Sequence, residues 1–262
     1  MLAYLPNSVV IYLYLLFGLL GLVMGSALNC LSLRMSRGGK WAGNTRSACP
    51  VCGHVLTGVD LIPLFSWLAL RGKCRYCKTP ISARYPLTEL LLAAVYVGLL
   101  LKYDLSLALI TPVIFVSCLF CLSLIDLDAQ IIPNRFLLIP AAVRMLELLA
   151  TGGVRGLVTG TMPGLVIACS VLILSLIMDK ALRKETMGGG DIKLLFVIGM
   201  FLPLGQCLLM VLVACTLGIL MAAFTMNLKA DTPFPFGPAL SLAAVLTMFF
   251  GDGILSWYLS LF

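Results

Sequence analysis

The sequence predicts an all-α polytopic membrane protein of about eight transmembrane helices, with a small cytoplasmic zinc-binding domain between helices 1 and 2. Its 262 residues are 61% hydrophobic and 11% charged, with a mean hydropathy of +1.09, which lies outside the range of soluble globular proteins. Long apolar runs alternate with short polar connections, and one polar segment carries two CxxC pairs. A transmembrane β-barrel is excluded because the runs do not alternate apolar and polar residues.

Eight apolar runs are long enough to be considered as spans, since crossing a bilayer takes about 20 residues. They lie at 9–31, 87–102, 105–125, 136–150, 157–178, 192–203, 205–226 and 239–262. Only Pro203, Gly205 and neighbouring helix-weakening residues separate the sixth run from the seventh, so six to eight spans are predicted.

The first run, within residues 1–33, is predicted to be a retained transmembrane helix. A cleaved signal peptide begins with basic residues and has a short apolar core, whereas here no Lys or Arg precedes Arg34 and the apolar run is long. Residues 27–30 resemble a lipoprotein cleavage box, but Asn29 before Cys30 and the missing basic start argue against that alternative.

The basic residues predict the orientation in the membrane. Nine of the eighteen Lys and Arg residues lie in the polar segment 34–86, which is therefore expected in the cytoplasm. With eight spans, fifteen basic residues fall on that side, and three (Lys102, Arg144 and Arg155) fall outside or in the outer half of a span. This predicts a multi-pass protein of the bacterial inner membrane with a periplasmic N-terminus. The net charge of +7 is explained by this topology and by contact with lipid, so no nucleic-acid partner is predicted.

The polar segment 34–86 is predicted to be a metal-stapled domain, because about 50 residues bury too little apolar surface to be stable alone. Cys49 and Cys52 form one CxxC pair and Cys74 and Cys77 form the other, which is typical of a four-thiolate tetrahedral zinc site. Disulfides are the alternative, disfavoured in the reducing cytoplasm, and His54 could replace one cysteine. The other cysteines are interpreted as packing residues in apolar runs: Cys30, Cys118, Cys121, Cys169, Cys207 and Cys215.

Two aspartates at the ends of apolar runs are the candidate catalytic residues of a core predicted to span 87–262. Asp126 ends the third run, and Asp191 begins the sixth. The topology predicts both at the cytoplasmic membrane face, where an ionisable residue is a functional candidate. Two adjacent carboxyl groups in a partly dry site share one proton. The charged one can then accept a proton from an attacking water while the protonated one polarises a peptide carbonyl.

The glycines before Asp191 support this hypothesis. Gly188, Gly189 and Gly190 have no side chains, so a substrate backbone can approach them closely, and they are the candidate substrate-binding residues. Asp191 would lie near the positive end of a helix, which favours it as the more readily ionised member of the pair. The alternative is an ordinary glycine turn with an aspartate capping a helix.

The remaining carboxylates are predicted to have other roles. Asp128 is secondary, because helical spacing directs it away from Asp126. Asp252 falls in the outer half of the last span, and Glu147 lies three residues from Arg144 as its expected ion partner. Two further acids are expected in loops or at the interface: Asp104 and Asp179.

In these motifs the chain resembles the type IV prepilin peptidases, which are GxGD-type membrane aspartic proteases. Asp126 matches the first active-site aspartate of that family, and Gly188, Gly190 and Asp191 match its GxGD motif, which presenilin-like proteases share. The other matching elements are residues 25–29 (GSFLN in the family), Arg34, both CxxC pairs, 62–68, Arg71 with Gly72, 80–82 with 84–86, and 236–238. Departures are Cys30, where an aliphatic residue is frequent, and Asn134, where Asp also occurs.

The resemblance implies cleavage of prepilin and pseudopilin leader peptides after a glycine at the cytoplasmic face. It also implies S-adenosylmethionine as a second cofactor besides zinc, because members with the cysteine domain tend to be bifunctional and also N-methylate the new amino terminus. No glycine-rich dinucleotide-type turn identifies the methyl-donor site.

Three other hypotheses remain open at the sequence level. One is a GxGD protease that acts on other membrane signal peptides without methylation. Another is an ion-coupled transporter, although no inverted repeat is evident and both key aspartates map to one membrane face. The third is a zinc-stapled scaffold in which the carboxylates only cap helices.

Overall fold

A computed structural model describes residues 4–38, 46–184, 186–225 and 235–261. These residues form helices and no strands, apart from two isolated β-bridges in the segment between the first two long helices. The helices are α1 (Asn7–Ser36), α2 (Phe65–Ala69), α3 (Arg84–Tyr103), α4 (Ile110–Ala129), α5 (Asn134–Leu182), α6 (Gly189–Gly199), α7 (Leu204–Thr225) and α8 (Gly237–Leu259). The predicted all-α class is confirmed.

Six helices are long and apolar enough to cross a membrane, namely α1, α3, α4, α5, α7 and α8. The helix α5 contains both the fourth and the fifth predicted run and is interrupted at Gly153, whose φ of 58° and ψ of −154° are not helical. A methyl on Gly160 would lie 2.6 Å from the Leu148 side chain, so the parts before and after Gly153 fold back on each other. We call these arms α5a (134–152) and α5b (154–182).

The sixth predicted run corresponds to α6, which is too short to cross a bilayer unaided. Its 11 residues cover about 16 Å, against about 30 Å of hydrocarbon. The C-terminal end of α6 is buried in the protein, with Met200 1% exposed. Arg144 of α5a donates from Nε to the Met200 carbonyl at 3.0 Å, which satisfies one of the carbonyl groups that a helix end leaves unpaired.

Arg144 also pairs with Glu147, Nη1 to Oε2 at 2.8 Å, so the predicted ion partner is confirmed. Its guanidinium lies 5.6 Å from the centre of the Phe201 ring, which stacks on Phe115 at 3.8 Å. Gly199, the last residue of α6, packs directly on the backbone of α5b, because a methyl on Gly199 would clash with the backbone of Gly164. Such small residues let membrane helices approach closely.

The chain divides into an N-terminal unit, Met1–Val113, and a C-terminal unit, Ile114–Phe262. In the N-terminal unit α1 and α3 run antiparallel with their backbones in close contact at small residues. A methyl on Gly21 would lie 2.9 Å from the Ala93 nitrogen, and a methyl on Gly25 would lie 2.8 Å from the Glu89 Cα. The cysteine-containing segment lies between these helices, and its boundaries at 34 and 86 stay a prediction.

Candidate active site and metal centre

The four cysteines of the two CxxC pairs form one cluster in the N-terminal unit. Their Sγ atoms all lie within 4.8 Å of one another, and those of Cys49 and Cys77 are 3.7 Å apart. Four sulfurs at about 2.3 Å from a tetrahedral zinc ion are separated by about 3.8 Å, so the donor set fits such an ion. A disulfide needs about 2.05 Å between sulfurs. The His54 ring stacks on Tyr76 instead, with ring centres 3.5 Å apart.

Two turns of the same geometry present these sulfurs. Cys49 N–H donates to the His54 carbonyl at 3.0 Å, and Cys74 N–H donates to the Thr79 carbonyl at 2.8 Å. The residue after each pair has a left-handed backbone, Gly53 with φ of 70° and Lys78 with φ of 60°. Lys78 therefore occupies in the second turn the position that Gly53 occupies in the first, although glycine is the residue best suited to a positive φ.

The backbone around these turns favours thiolates, which are the metal-binding form of cysteine. Backbone N–H groups of Cys52 and then Val51 lower the pKa of Cys49. The hydroxyl of Thr79, followed by its backbone N–H, lowers the pKa of Cys77 to about 6. At Cys52, a backbone hydrogen bond at His54 lowers the pKa, but burial and the neighbouring sulfurs outweigh it and raise the pKa to about 11. The turns thus favour the thiolate at Cys49 and Cys77 but not at Cys52.

A second set of contacts fixes the Cys74–Cys77 turn within the segment. Arg75 donates from Nε to Asp60 Oδ1 at 2.6 Å, and this guanidinium holds the pKa of that carboxyl well below its usual range. Gly72 has a φ of 69°, and a methyl there would lie 2.9 Å from the Trp67 ring, whose Nε1 donates to the Ile81 carbonyl. These contacts explain why glycine precedes the second pair.

Asp126 lies in the last turn of α4 and is 5% exposed. Its Oδ2 accepts a hydrogen bond from the backbone N–H of Gly237, the first residue of α8, at 3.0 Å. A methyl on Gly237 would lie 2.7 Å from that oxygen, so only glycine fits without displacing the carboxylate. The N-terminus of a helix carries partial positive charge, which stabilises an anion at this position.

Asp191 lies in the first turn of α6 and is half-buried. The glycine turn before it packs on the loop that follows α4, because a methyl on Gly190 would lie 3.0 Å from Ile132 Cβ. Lys193 Nζ lies 3.4 Å from Asn134 Oδ1 in the same region. Asp126 and Asp191 are close enough for the charge of Asp126 to act on Asp191. The glycine turn before Asp191 is therefore in contact with the loop that follows Asp126, and the two carboxyl groups are near enough to interact electrostatically.

The remaining glycines and acids considered in the sequence analysis lie in different surroundings. Gly188 and Gly189 are exposed, and a methyl on Gly189 would meet nothing within 4 Å. Asp128 is exposed on α4, Asp252 accepts from Gln206 Nε2 at 2.5 Å, and Asp179 accepts from Thr186. The contact of Gly237 with Asp126 was not predicted from the sequence, where Gly237 stood out only within the 236–238 element, with a proline directly after it.

The chain is similar to known proteins over most of its length. Residues 19–103 match the model of the Bacterial Peptidase A24 N-terminal domain, and residues 113–223 match that of the Type IV leader peptidase family. A prepilin leader peptidase/N-methyltransferase of Aeromonas hydrophila is 35% identical over 223 residues, which cover 83% of this chain and 76% of the relative. The chain belongs to the type IV leader peptidase family.

Two further relatives with the same name support this membership. The protein of Bacillus subtilis (strain 168) is 33% identical over 225 residues, covering 82% of this chain and 86% of the relative. The protein of Dichelobacter nodosus is 35% identical over 210 residues, covering 79% and 72%. No solved structure matches the chain. As a member of the type IV leader peptidase family with six apolar membrane-length helices, it is an integral membrane peptidase, and the resemblance seen in the sequence is confirmed.

Proposed function

We propose that the protein cleaves the leader peptide of type IV prepilins and pseudopilins after a glycine, using Asp126 and Asp191, and N-methylates the new amino terminus. The relatives are named prepilin leader peptidase/N-methyltransferase, which supports a prepilin substrate and N-methylation as the second activity. The observation that carries the catalytic part is the packing of the glycine turn before Asp191 on the loop after Asp126, with the two carboxyl groups near enough to interact electrostatically, in a family of peptidases.

The surroundings of the two aspartates suggest which one is charged. Gly237 N–H and the N-terminus of α8 stabilise negative charge on Asp126, so Asp126 is the carboxylate and Asp191 carries the shared proton. This reverses the assignment expected from the sequence. A negative charge on Asp126 in turn disfavours a second charge on Asp191.

The reaction then proceeds by general acid and base catalysis. Asp126 accepts a proton from a water molecule as the water oxygen attacks the scissile carbonyl carbon, and Asp191 donates its proton to the carbonyl oxygen. When the tetrahedral intermediate collapses, Asp126 donates its proton to the leaving nitrogen and the carbonyl returns a proton to Asp191. Asp126 is then again a carboxylate and Asp191 is again protonated.

The glycine turn provides a surface for the substrate backbone. Gly188 and Gly189 are exposed directly before Asp191, and because they carry no side chains an extended peptide can come close to their backbone. A glycine before the scissile bond would let the substrate come equally close. A bulky residue at that substrate position is expected to abolish cleavage.

The proposed topology places the active site in the cytoplasmic half of the inner membrane. The basic segment between α1 and α3 is cytoplasmic by its charge, α3 leads away from that face, and α4 returns to it with Asp126 at its end. The domains proposed are the first transmembrane helix (1–33), the cytoplasmic zinc-binding domain (34–86) and the transmembrane protease core (87–262). The N-terminus is periplasmic in this arrangement.

Zinc is the proposed structural ion of the cysteine cluster. Cys49, Cys52, Cys74 and Cys77 would hold it, and it would cross-link the two turns of a segment with little core of its own. S-adenosylmethionine supplies the methyl group for the second activity.

Cleavage of a prepilin by the purified protein in detergent tests this function. Asp126→Asn and Asp191→Asn preserve size but remove the acid, and each is expected to slow cleavage by about 10²- to 10⁴-fold. Asp128→Asn is the matched control, because Asp128 is exposed on the same helix two residues away. Parent-like cleavage by either active-site variant would refute the two-aspartate mechanism. Mass measurement of the new amino terminus with S-adenosylmethionine present tests methylation.

A further inference from the structure

The side chain of Asn29 in α1 is fully buried and has no hydrogen-bond partner. Its exposed fraction is 0%, and within the described part of the chain neither Oδ1 nor Nδ2 is paired. A buried amide without partners is costly, and an apolar residue of similar size would avoid that cost. An unpaired amide in a membrane helix therefore suggests a ligand that pairs with it.

The packing of α1 on α3 shows what Asn29 faces. Gly21 packs on Ala93 and Gly25 packs on Glu89, so a residue one turn later in α1 faces a residue one turn earlier in α3. Asn29 lies one turn beyond Gly25 on the same face and is therefore opposite the first turn of α3. Side chains tilt toward the N-terminus of their helix, so the carboxyl group of Glu89 extends toward the turn that Asn29 faces.

Glu89 is itself a buried acid, only 5% exposed, within a membrane-length helix. Its Oε2 accepts the backbone N–H of Leu64 at 2.7 Å, the one hydrogen bond it makes to the described residues. Leu64 has an unusual backbone, with φ of 60° and ψ of −53°. A carboxylate can accept about four hydrogen bonds, so Glu89 keeps capacity for a cationic donor.

The neighbouring hydroxyl groups do not use this capacity. Ser32 Oγ donates to the backbone carbonyl of Asn29 at 2.8 Å, and Thr88 Oγ1 donates to carbonyl groups of its own helix. The amide of Asn29 thus keeps its acceptor and both N–H donors unused by the described residues, and the carboxylate of Glu89 keeps acceptor capacity on the helix that α1 faces. The complementary ligand is a cation with N–H donors that also carries a carbonyl or carboxylate oxygen.

We propose that Asn29 and Glu89 form a binding site for an α-ammonium group next to a carbonyl. The ammonium would donate to Glu89 and to Asn29 Oδ1, and the carbonyl oxygen would accept from Asn29 Nδ2. This inference rests on the proposed function, whose methylation step brings two such groups to the protein: the freed amino terminus of the cleaved chain and the amino-acid end of S-adenosylmethionine. Both sources share the chemistry that the site recognises.

Calorimetric binding to the full chain in detergent tests the proposal and separates the sources. One probe is a peptide with the mature pilin amino terminus, with its N-acetylated form as the version lacking the ammonium. The other is S-adenosylhomocysteine, with 5′-methylthioadenosine as the version lacking the amino-acid group. The parent is expected to bind the unmodified member of at least one pair at least tenfold more tightly than its modified partner.

Asn29→Leu and Glu89→Gln are each expected to weaken that binding by tenfold or more. Asn7→Leu makes the first substitution at the exposed start of the same helix and serves as control, with binding unchanged. Without ligand, the thermal midpoint of Asn29→Leu is expected to equal or exceed that of the parent, because an unpaired amide is removed.

Several results would overturn the proposal. One is a parent protein that binds neither unmodified probe, and another is that the variants bind as tightly as the parent. A third is a lowered thermal midpoint of unfolding for Asn29→Leu with unchanged binding, which would show that the amide has a structural role only. Asp126→Asn separates this inference from the proposed function. It is expected to lose cleavage and to keep probe binding, whereas failure of the parent to cleave a prepilin would refute only the proposed function.

Discussion

Replacement of Gly237 by alanine tests whether the N-terminus of α8 positions Asp126, the carboxylate proposed as the catalytic base. The added methyl would lie 2.7 Å from Asp126 Oδ2, 3.2 Å from Cγ and 3.5 Å from Cβ, so all three close contacts fall on one side chain. The carboxylate must move away, and the 3.0 Å hydrogen bond from Gly237 N–H is then lengthened or broken. A hydrogen bond to a charged group contributes about 1.5–3 kcal/mol.

If that contribution is needed in the transition state, kcat/KM for prepilin cleavage should fall by about 10- to 150-fold. The fall should appear mainly in kcat, because Gly237 contacts the catalytic group and is not proposed to contact the substrate. Initial rates over a range of prepilin concentrations in detergent measure both constants.

Gly253→Ala is the matched control for this prediction. It lies in the same helix, and a methyl there would meet nothing within 4 Å. It should leave both constants unchanged and stabilise the helix by about 0.5–1 kcal/mol. If Gly237→Ala retains the kcat of the parent, the assignment of Asp126 as the carboxylate stabilised by α8 is wrong.

Three further predictions concern the supports of the site. Arg144→Leu should lower the free energy of unfolding by about 1–3 kcal/mol, because the Met200 carbonyl and Glu147 lose their partner, and thermal unfolding in detergent measures the change. Gly53→Ala should destabilise the cysteine segment by about 1–2 kcal/mol through its φ of 70°, whereas Lys78→Gly at a φ of 60° should be neutral or stabilising, which protease susceptibility of the segment reports. Zinc binding, measured by metal analysis, should weaken more steeply once the pH falls below about 6. The lowered pKa of Cys77 keeps the metal-binding thiolate down to that pH, and protons compete with the ion below it.

Features that depend on local spacing could be predicted from the sequence. The CxxC pairs form one cluster because each pair makes its own turn, and the i, i+3 spacing placed Glu147 beside Arg144. All eight apolar runs coincide with helical segments, since hydrophobicity decides which segments enter a bilayer. Asp126 and Asp191 were identified because each lies at the end of such a run.

Features that depend on distant partners could not be predicted. Gly237 donates to a carboxylate 111 residues earlier, and Arg144 satisfies a carbonyl 56 residues later. That second contact lets α6 end inside the protein, because a helix end that is buried needs partners for its last carbonyls. Asn29 looked like part of a short motif, and only the packing of α1 on α3 shows that its amide is buried without a partner.

The position of Asp191 follows from contacts at both ends of α6. At its start Gly190 packs on Ile132, in the loop that continues from the helix carrying Asp126. At its end Gly199 packs on the backbone of α5b, and Arg144 holds the Met200 carbonyl. The second half of this 11-residue helix is largely buried in the protein, so these protein contacts determine where it lies. The proposed mechanism needs the two carboxyl groups at close range to share a proton, so the contacts that fix this short helix are the ones on which it depends.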